Sequence, residues 1–227
     1  MKAMILAAGR GERMRPLTDT TPKPLLPLKG KPLIVWHLER LSDAGVTEVI
    51  INHAWLGSQI EATLGDGQRW GIAIRYSAEG YARETAGGIA LVRDWLGNAP
   101  FLLLSGDIYT DYPLGSLIAQ APQLMANPEV LAHLVMVNNP DYHPLGDFGL
   151  INGYINPNLE PRYTYGNLAL MRIQLVEKVR AGEVAKLGPL LVEAGEKGGV
   201  SGEYFGGRWF NLGTPSDLSL AEAVIMG

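Results

Sequence analysis

Two glycines and a group of cations follow one short apolar run near the N-terminus. Met4-Ile5-Leu6-Ala7-Ala8 opens directly into Gly9-Arg10-Gly11-Glu12-Arg13-Met14-Arg15-Pro16, and Pro22-Lys23-Pro24-Leu25 comes soon after. An apolar strand feeding a glycine-rich turn is a phosphate-binding design, because glycine lets main-chain N–H groups approach an anion closely. The turn carries Arg13 and Arg15, and Lys23 follows a short loop later. Three cations around one backbone cradle suit a polyphosphate better than a single phosphate, because charge-assisted hydrogen bonds multiply with the anionic oxygens available. The chemistry this implies is the binding of a nucleoside triphosphate.

Two common glycine-rich signatures are not met. A dinucleotide fingerprint needs G-x-G-x-x-G, and Met14 stands in the third glycine's place, which disfavours a dinucleotide-dependent oxidoreductase. The P-loop string G-x-x-x-x-G-K-[ST] occurs nowhere in the chain. The run from Leu6 to Leu25 instead resembles the signature of the sugar-1-phosphate nucleotidyltransferases, roughly L-A-A/G-G-x-G-x-R-L/M-x-P-x-T followed by P-K-x-L. The resemblance implies that Leu6, Ala7, Ala8, Gly9, Gly11 and Glu12 cradle the nucleotide, with Arg13 on its β- and γ-phosphates. It implies that Lys23 stabilises charge developing on the transferring phosphoryl group, while Arg15 either joins Arg13 or is simply solvated.

Nucleotidyl transfer brings two anions together, so it needs charge neutralisation and a held line of attack rather than a covalent nucleophile. Mg²⁺ with hard oxygen ligands is the expected cofactor. Asp107, in Ser105-Gly106-Asp107, matches the family's G-D metal ligand, with Gly106 beside the nucleotide. The family's second carboxylate lies in W-x-D-x-G-T, where this chain reads Trp209-Phe210-Asn211-Leu212-Gly213-Thr214. Asn211 thus replaces the aspartate and offers a neutral carbonyl oxygen as the second metal ligand. Asp111 is either a substitute carboxylate or a turn residue.

The resemblance places base recognition at Glu79 and at Glu84-Thr85-Ala86-Gly87-Gly88, similar to the family's G-T-A-G stretch, with Thr85 and Ala86 as contacts. Glu84 replaces the usual glycine. A carboxylate at Glu79 accepts a uracil N3–H or a guanine N1–H equally well, and a plain surface-loop role is its alternative. Asn52-His53-Ala54-Trp55-Leu56-Gly57 and Asn138 to Phe148 resemble strings of the N-acetylmuramate-1-phosphate uridylyltransferases of bacterial cell-wall recycling. That resemblance implies UTP and a sugar 1-phosphate as partners. It implies acceptor contacts from Asn138, Gly146 and Asp147, with Lys186 on the sugar phosphate, and His53 is either a further acceptor contact or a satisfied loop histidine. Mannose-1-phosphate guanylyl-, glucose-1-phosphate thymidylyl- or uridylyl- and cholinephosphate cytidylyltransferases are the rival enzymes. A nucleotide-sugar sensor that has lost turnover, favoured only by Asn211, is the rival from another class. The five tryptophans are scattered without the aromatic cage a choline site needs.

Composition narrows the classes. A formal net charge of −4 lacks the footprint of a nucleic-acid binder. Cysteine is absent, which excludes disulfides and thiolate zinc and fits a reducing compartment. No apolar run reaches a membrane span, and the first strand is too short for a signal peptide, so the expectation is cytoplasmic, without membrane or nucleic acid. A monomer or small homo-oligomer is expected.

The elements that must position these residues alternate in the first half. Strands are expected at Lys2–Ala8, Glu48–Asn52, Ile72–Tyr76 and Phe101–Ser105, and helices at Leu33–Ala44, Gly57–Leu64 and Ala86–Leu96. In the second half, His133–Val137, Phe148–Asn152, Tyr163–Met171 and Glu203–Leu212 read as strands. Gln174–Arg180, Leu187–Ala194 and Pro215–Ile225 read as helices. The fold expected is α/β and Rossmann-like. It has a mostly parallel central sheet, helices on both faces and a small β-rich acceptor-binding subregion. One domain is expected over residues 1–227, with a nucleotide-binding half at 1–112 and a sugar-phosphate-binding half at 113–227.

Overall fold

Ala3, Met4 and Ile5 are consecutive and fully buried, the pattern of a strand covered on both faces. In the computed structural model of the protein, which describes residues 1–225, this strand is β1 (Lys2–Ala7). It is followed by β2 (Pro27–Leu28), β3 (Lys31–Pro32), β4 (Glu48–His53), β5 (Ala73–Ala78), β6 (Phe101–Ser105) and β7 (Ile108–Thr110). Then come β8 (Ala132–Val137), β9 (Phe148–Ile151), β10 (Tyr154–Asn156), β11 (Arg162–Met171), β12 (Val200–Tyr204) and β13 (Trp209–Asn211). The helices are α1 (Leu33–Asp43), α2 (Gly57–Leu64), α3 (Glu84–Leu91), α4 (Arg93–Leu96), α5 (Leu114–Ala119), α6 (Ala121–Ala126), α7 (Leu187–Glu196) and α8 (Pro215–Ile225).

The chain forms two compact units. The first comprises Met1–Ala82, Ser105–Leu114 and the segment from Arg208 onward; the second comprises Arg83–Leu104 and Gly115–Gly207. This division differs from the contiguous halves at 1–112 and 113–227. The segment carrying Asn211 returns to the unit of the N-terminal loop, and the segment carrying Thr85 and Ala86 leaves it.

In the first unit, β1 and β5 both pair in parallel with β4. Ala7 lies opposite His53, and His53 opposite Ala78, so the glycine-rich turn, Asn52 and Glu79 are set at one strand edge. Pro32 stands at the N-cap position of α1. Gly45 (φ +79°) ends that helix: its N–H meets the Ser42 carbonyl at 2.9 Å, and the Val46 N–H meets that of Leu41 at 2.9 Å. Met14, Leu26, Leu28, Leu33, Leu212 and Ala221 form one buried cluster, with Trp36, Tyr109 and Phe210 against it. It joins the glycine-rich loop, α1, the β7–β13 ladder and α8. Burial of Met14 alone is worth about 2 kcal/mol, so the residue that breaks the dinucleotide fingerprint anchors the loop to the core.

In the second unit the strand order is β6-β11-β8-β12-β10-β9. β11 runs antiparallel to β6, β8 and β9, and β12 runs parallel to β8. In the first unit the β5-β4-β1 strands are parallel while the short β2–β3 and β7–β13 ladders are antiparallel, and the β-rich region belongs to the second.

Several sequence boundaries shift. Glu203–Leu212 is not one strand. β12 and β13 are separated by a stretch that includes Gly206 and Gly207, and they belong to different units. Gln174–Arg180 forms only a 3₁₀ turn at Ile173–Val176, and Ala86–Leu96 breaks at Val92 into α3 and α4. α5 and α6 were not expected.

The packing face of α1 includes His37, which is 2% exposed, and neither ring nitrogen has a hydrogen-bond partner. Desolvation pushes its pKa from the ordinary 6.5 down to about 4; the Arg40 charge acts in the same direction, opposed weakly by the Ile108 main chain and Asp107. The Ile108 main chain favours the protonated ring without meeting hydrogen-bond geometry. Below pH 6.5 the unfolded chain takes up this proton while the folded chain refuses it until about pH 4. Folding stability is therefore lost across that window, by up to about 3 kcal/mol. Urea denaturation from pH 7 to pH 4 should show this loss, and a smaller one in His37→Leu. Identical pH profiles would remove His37 as a cause.

Candidate active site

The loop after β1 is built by two different uses of glycine. Gly11 has φ +69°, and an added Cβ would lie 3.0 Å from Thr18 Cγ2 and 3.3 Å from Lys23 Cβ. The Thr18 hydroxyl donates to the Gly11 carbonyl at 2.8 Å. Gly11 is thus demanded by the fold. A Cβ on Gly9 would meet nothing within 4 Å, so its glycine answers no packing need and leaves the backbone open to close approach. Ala8 follows the end of β1. Glu12 is exposed, 3.7 Å from Arg10 and 3.9 Å from Arg15. Arg15 donates to Asp19 at 2.8 Å and is 57% exposed, so it is a solvated surface partner.

Lys23 is brought against Asp107. Its ammonium donates to Asp107 Oδ2 at 2.6 Å, with the lysine side chain only 10% exposed. Gly106 donates its N–H to the Leu6 carbonyl at 2.8 Å, and a Cβ there would lie 2.9 Å from that oxygen. This close approach sets Asp107 beside the end of β1. Asn211 pairs with Ile108 across the β7–β13 ladder, and the Leu212 N–H donates to the Asp107 carbonyl at 2.8 Å. Asp107 and Asn211 therefore occupy the same end of that ladder. Arg13 lies beside them, since a Cβ on Gly213 would come within 3.0 Å of its guanidinium. Asp111 is the turn residue: its carboxylate accepts the Arg208 N–H at 2.8 Å.

Asp107 and Asn211 each present a hard oxygen donor, which fits Mg²⁺, an ion bound through one or two protein groups plus substrate phosphates and water. Among the described residues no group of three or more His, Cys, Asp or Glu could hold a metal.

Glu79 is 3% exposed, which rules out the surface-loop reading. Asn52 fixes its orientation: Oδ1 accepts the Ala7 N–H at 2.9 Å and Nδ2 donates to Glu79 Oε1 at 2.7 Å. The sequence alone does not signal this role of Asn52, and for the neighbouring His53 it leaves an acceptor contact and a satisfied loop histidine both open. His53 lies buried, its Nε2 2.7 Å from Glu61, and a Cβ on Gly57 would fall 1.9 Å from its Nδ1. Its ring docks α2 onto β4.

The remaining candidates lie in the second unit. Thr85 and the buried Ala86 are in the first turn of α3, which opens with Glu84 at φ +60°. That is the conformation glycine adopts freely, and it explains why a glycine is usual at this position. Gly87 donates to the Ala185 carbonyl and Ala185 to that of Arg83, both at 3.1 Å, so the exposed Lys186 follows directly on this contact. The Asn138–Phe148 segment is tied to itself. Asp147 accepts the Tyr165 N–H at 2.8 Å through one oxygen and meets His143 at 3.0 Å through the other. Gly146 is buried, and a Cβ there would strike Asn139 at 2.6 Å. Asn138 is exposed and accepts from Tyr204 at 2.8 Å. Gly146 and Asp147 thus also serve the loop's own shape.

Residues 2–154 match the Nucleotidyl transferase family. The chain is 48% identical, over 99% of its length and 98% of the relative's, to the N-acetylmuramate alpha-1-phosphate uridylyltransferase of Neisseria meningitidis serogroup B. It is 30% identical, over 96% of its length and 62% of the relative's, to the mannose-1-phosphate guanylyltransferase catalytic subunit beta of Danio rerio. A crystal structure from Bacillus anthracis, described as a glucose-1-phosphate thymidylyltransferase, shares the fold with a TM-score of 0.85. It is 21% identical and covers 99% of this chain and 94% of its own. The chain belongs to the nucleotidyl transferase family, in its sugar-1-phosphate branch.

Lys23→Met should lower the rate of pyrophosphate release by at least roughly 100-fold, the usual cost of losing a charge-stabilising donor, with circular dichroism unchanged. A rate within threefold of the parent would remove Lys23 from the chemistry.

Proposed function

We propose that the protein transfers UMP from UTP to N-acetylmuramate 1-phosphate, giving UDP-N-acetylmuramate and pyrophosphate in peptidoglycan recycling. The observation that carries this reading is the 48% identity, over nearly the full length of both chains, to the Neisseria enzyme of that name. The pairing of Lys23 with Asp107, with Gly11 packed against Lys23, supports the same chemistry. No helix among the described residues is long and apolar enough to cross a membrane, which is consistent with a cytoplasmic enzyme.

In the proposed reaction a phosphate oxygen of the sugar 1-phosphate attacks the α-phosphorus of UTP, and the bond to the leaving pyrophosphate breaks. The nucleophile is already ionised, so no general base is assigned. Arg13 and the main chain from Gly9 to Glu12 hold the β- and γ-phosphates. Lys23 neutralises charge on the group in transfer. Asp107 and Asn211 would hold Mg²⁺, which supplies further charge neutralisation when bound. Glu79, held by Asn52, accepts the uracil N3–H, with Thr85 and Ala86 beside the base. Asn138, Gly146 and Asp147 are the residues proposed for the acceptor sugar, with Lys186 on its phosphate.

Pyrophosphate release measured with the four NTPs and dTTP against a panel of sugar 1-phosphates tests the proposal. Release should be greatest with UTP and N-acetylmuramate 1-phosphate. A different preferred pair would discard the substrate assignment, and binding of UTP without release would favour a silent nucleotide-sugar sensor. Asn211→Asp should lower the Mg²⁺ concentration giving half-maximal rate, because a carboxylate adds a full charge to the donor set. An unchanged Mg²⁺ dependence would show that the amide carbonyl suffices.

A further inference from the structure

The string Asn52-His53-Ala54-Trp55-Leu56-Gly57 turns toward the glycine-rich loop at more than one point. Beyond the Asn52 bridge to Ala7, the Trp55 indole N–H donates to the Thr18 carbonyl at 2.9 Å. The same carbonyl accepts Arg10 Nη1 at 2.8 Å, and Arg10 Nη2 reaches Asp19 at 3.2 Å. The Arg10 guanidinium stacks over the Trp55 ring, 3.7 Å from its centroid. Thr18 is fully buried and closes the circuit through its bond to the Gly11 carbonyl. Gln59 adds a donor to the Thr20 carbonyl at 3.0 Å.

Arg10 lies between Gly9 and Gly11, the residues whose main chain forms the cradle. Its charge is already matched by Asp19, a main-chain carbonyl and an aromatic face, whereas Arg13 is exposed. A guanidinium held in this way acts through the backbone it is attached to. The loop from Ala8 to Pro22 has only short 3₁₀ turns of its own, so cross-ties from outside must hold its shape. Ordering such a loop at the moment of binding would weaken affinity; ordering it beforehand avoids that loss.

We propose that Trp55 and Arg10 are positioning residues that preorganise the phosphate loop, so that the Asn52–Gly57 string governs nucleotide affinity rather than choice of sugar. This rests on reading the Gly9–Lys23 loop as the triphosphate cradle. Thr18 is the relay, receiving both side chains on one carbonyl and passing the constraint to Gly11 through its hydroxyl.

The test measures UTP binding by calorimetry in Mg²⁺ without sugar phosphate, together with KM for each substrate, in Trp55→Phe, Trp55→Leu and Arg10→Lys. Trp55→Phe removes the N–H while keeping a smaller aromatic ring under the guanidinium, which keeps the test valid if Trp55→Leu does not fold. Dissociation constant and KM for UTP should rise, by roughly tenfold in Trp55→Leu and less in Trp55→Phe, the scale of one lost hydrogen bond plus loop ordering. KM for the sugar phosphate should stay within twofold. A rise in the sugar KM with UTP binding unchanged would overturn the proposal and return the string to the acceptor. Unchanged values for both substrates would overturn it as well. If the parent protein itself bound no UTP, the triphosphate reading would fail first, an outcome distinct from parent binding that the variants leave unaltered.

Discussion

The 2.6 Å contact between the Lys23 ammonium and the Asp107 carboxylate joins positions 84 residues apart, and much of the first unit is arranged to permit it. An ammonium with a tenth of its surface exposed is costly to hold without a partner. Asp107 supplies that partner while keeping over a third of its own side chain accessible. Such a pair can stay oriented in the absence of substrate and still meet an arriving polyphosphate. The close approach of Gly106 to Leu6 sets the carboxylate, and the short turn at Lys23–Leu25 sets the ammonium.

Around this pair the protein separates an exposed cation from cations tied into the fold. Arg15 is spent on the surface with Asp19. Arg10 is spent on Thr18, Asp19 and Trp55. Arg13, lying against Gly213, stands next to the ladder end that carries Asp107 and Asn211. Only positions of the guanidinium groups distinguish these roles, since the side chains are chemically alike. Met14 supplies the apolar counterpart, pinning the loop to the cluster that also holds Leu212 of the β13 segment.

The acceptor strings show that residue types alone do not separate ligand contacts from ties within a loop. Their residue types, Asn, His, Asp and Gly, are those that bind sugar hydroxyls, but they are equally those that tie turns together. His53 is used to seat α2, Asp147 to receive a main-chain N–H from Tyr165, and Gly146 to make room for Asn139. Glu79 went the other way. A polar residue in a glycine-flanked loop looked as if it could be solvent-facing, yet the Asn52 amide holds its carboxylate in the interior.

By itself the sequence determined the family, and it singled out the glycine-rich loop with the cations around it. Each of these depends on local spacing, with glycines where backbone must bend or lie open and cations within one short segment. It also located most strands and helices, because β1 and α1 declare their burial through uninterrupted apolar runs and a 3.6-residue pattern. Only the tertiary structure decided which side chains were free to act. Partners such as Asn52 with Glu79, Thr18 with Trp55, and Asp107 with Lys23 lie 27, 37 and 84 residues apart, and no local pattern encodes such pairings. It decided too that Asn211 returns to the N-terminal unit, because β13 gains its hydrogen bonds from β7 rather than from the chain before it.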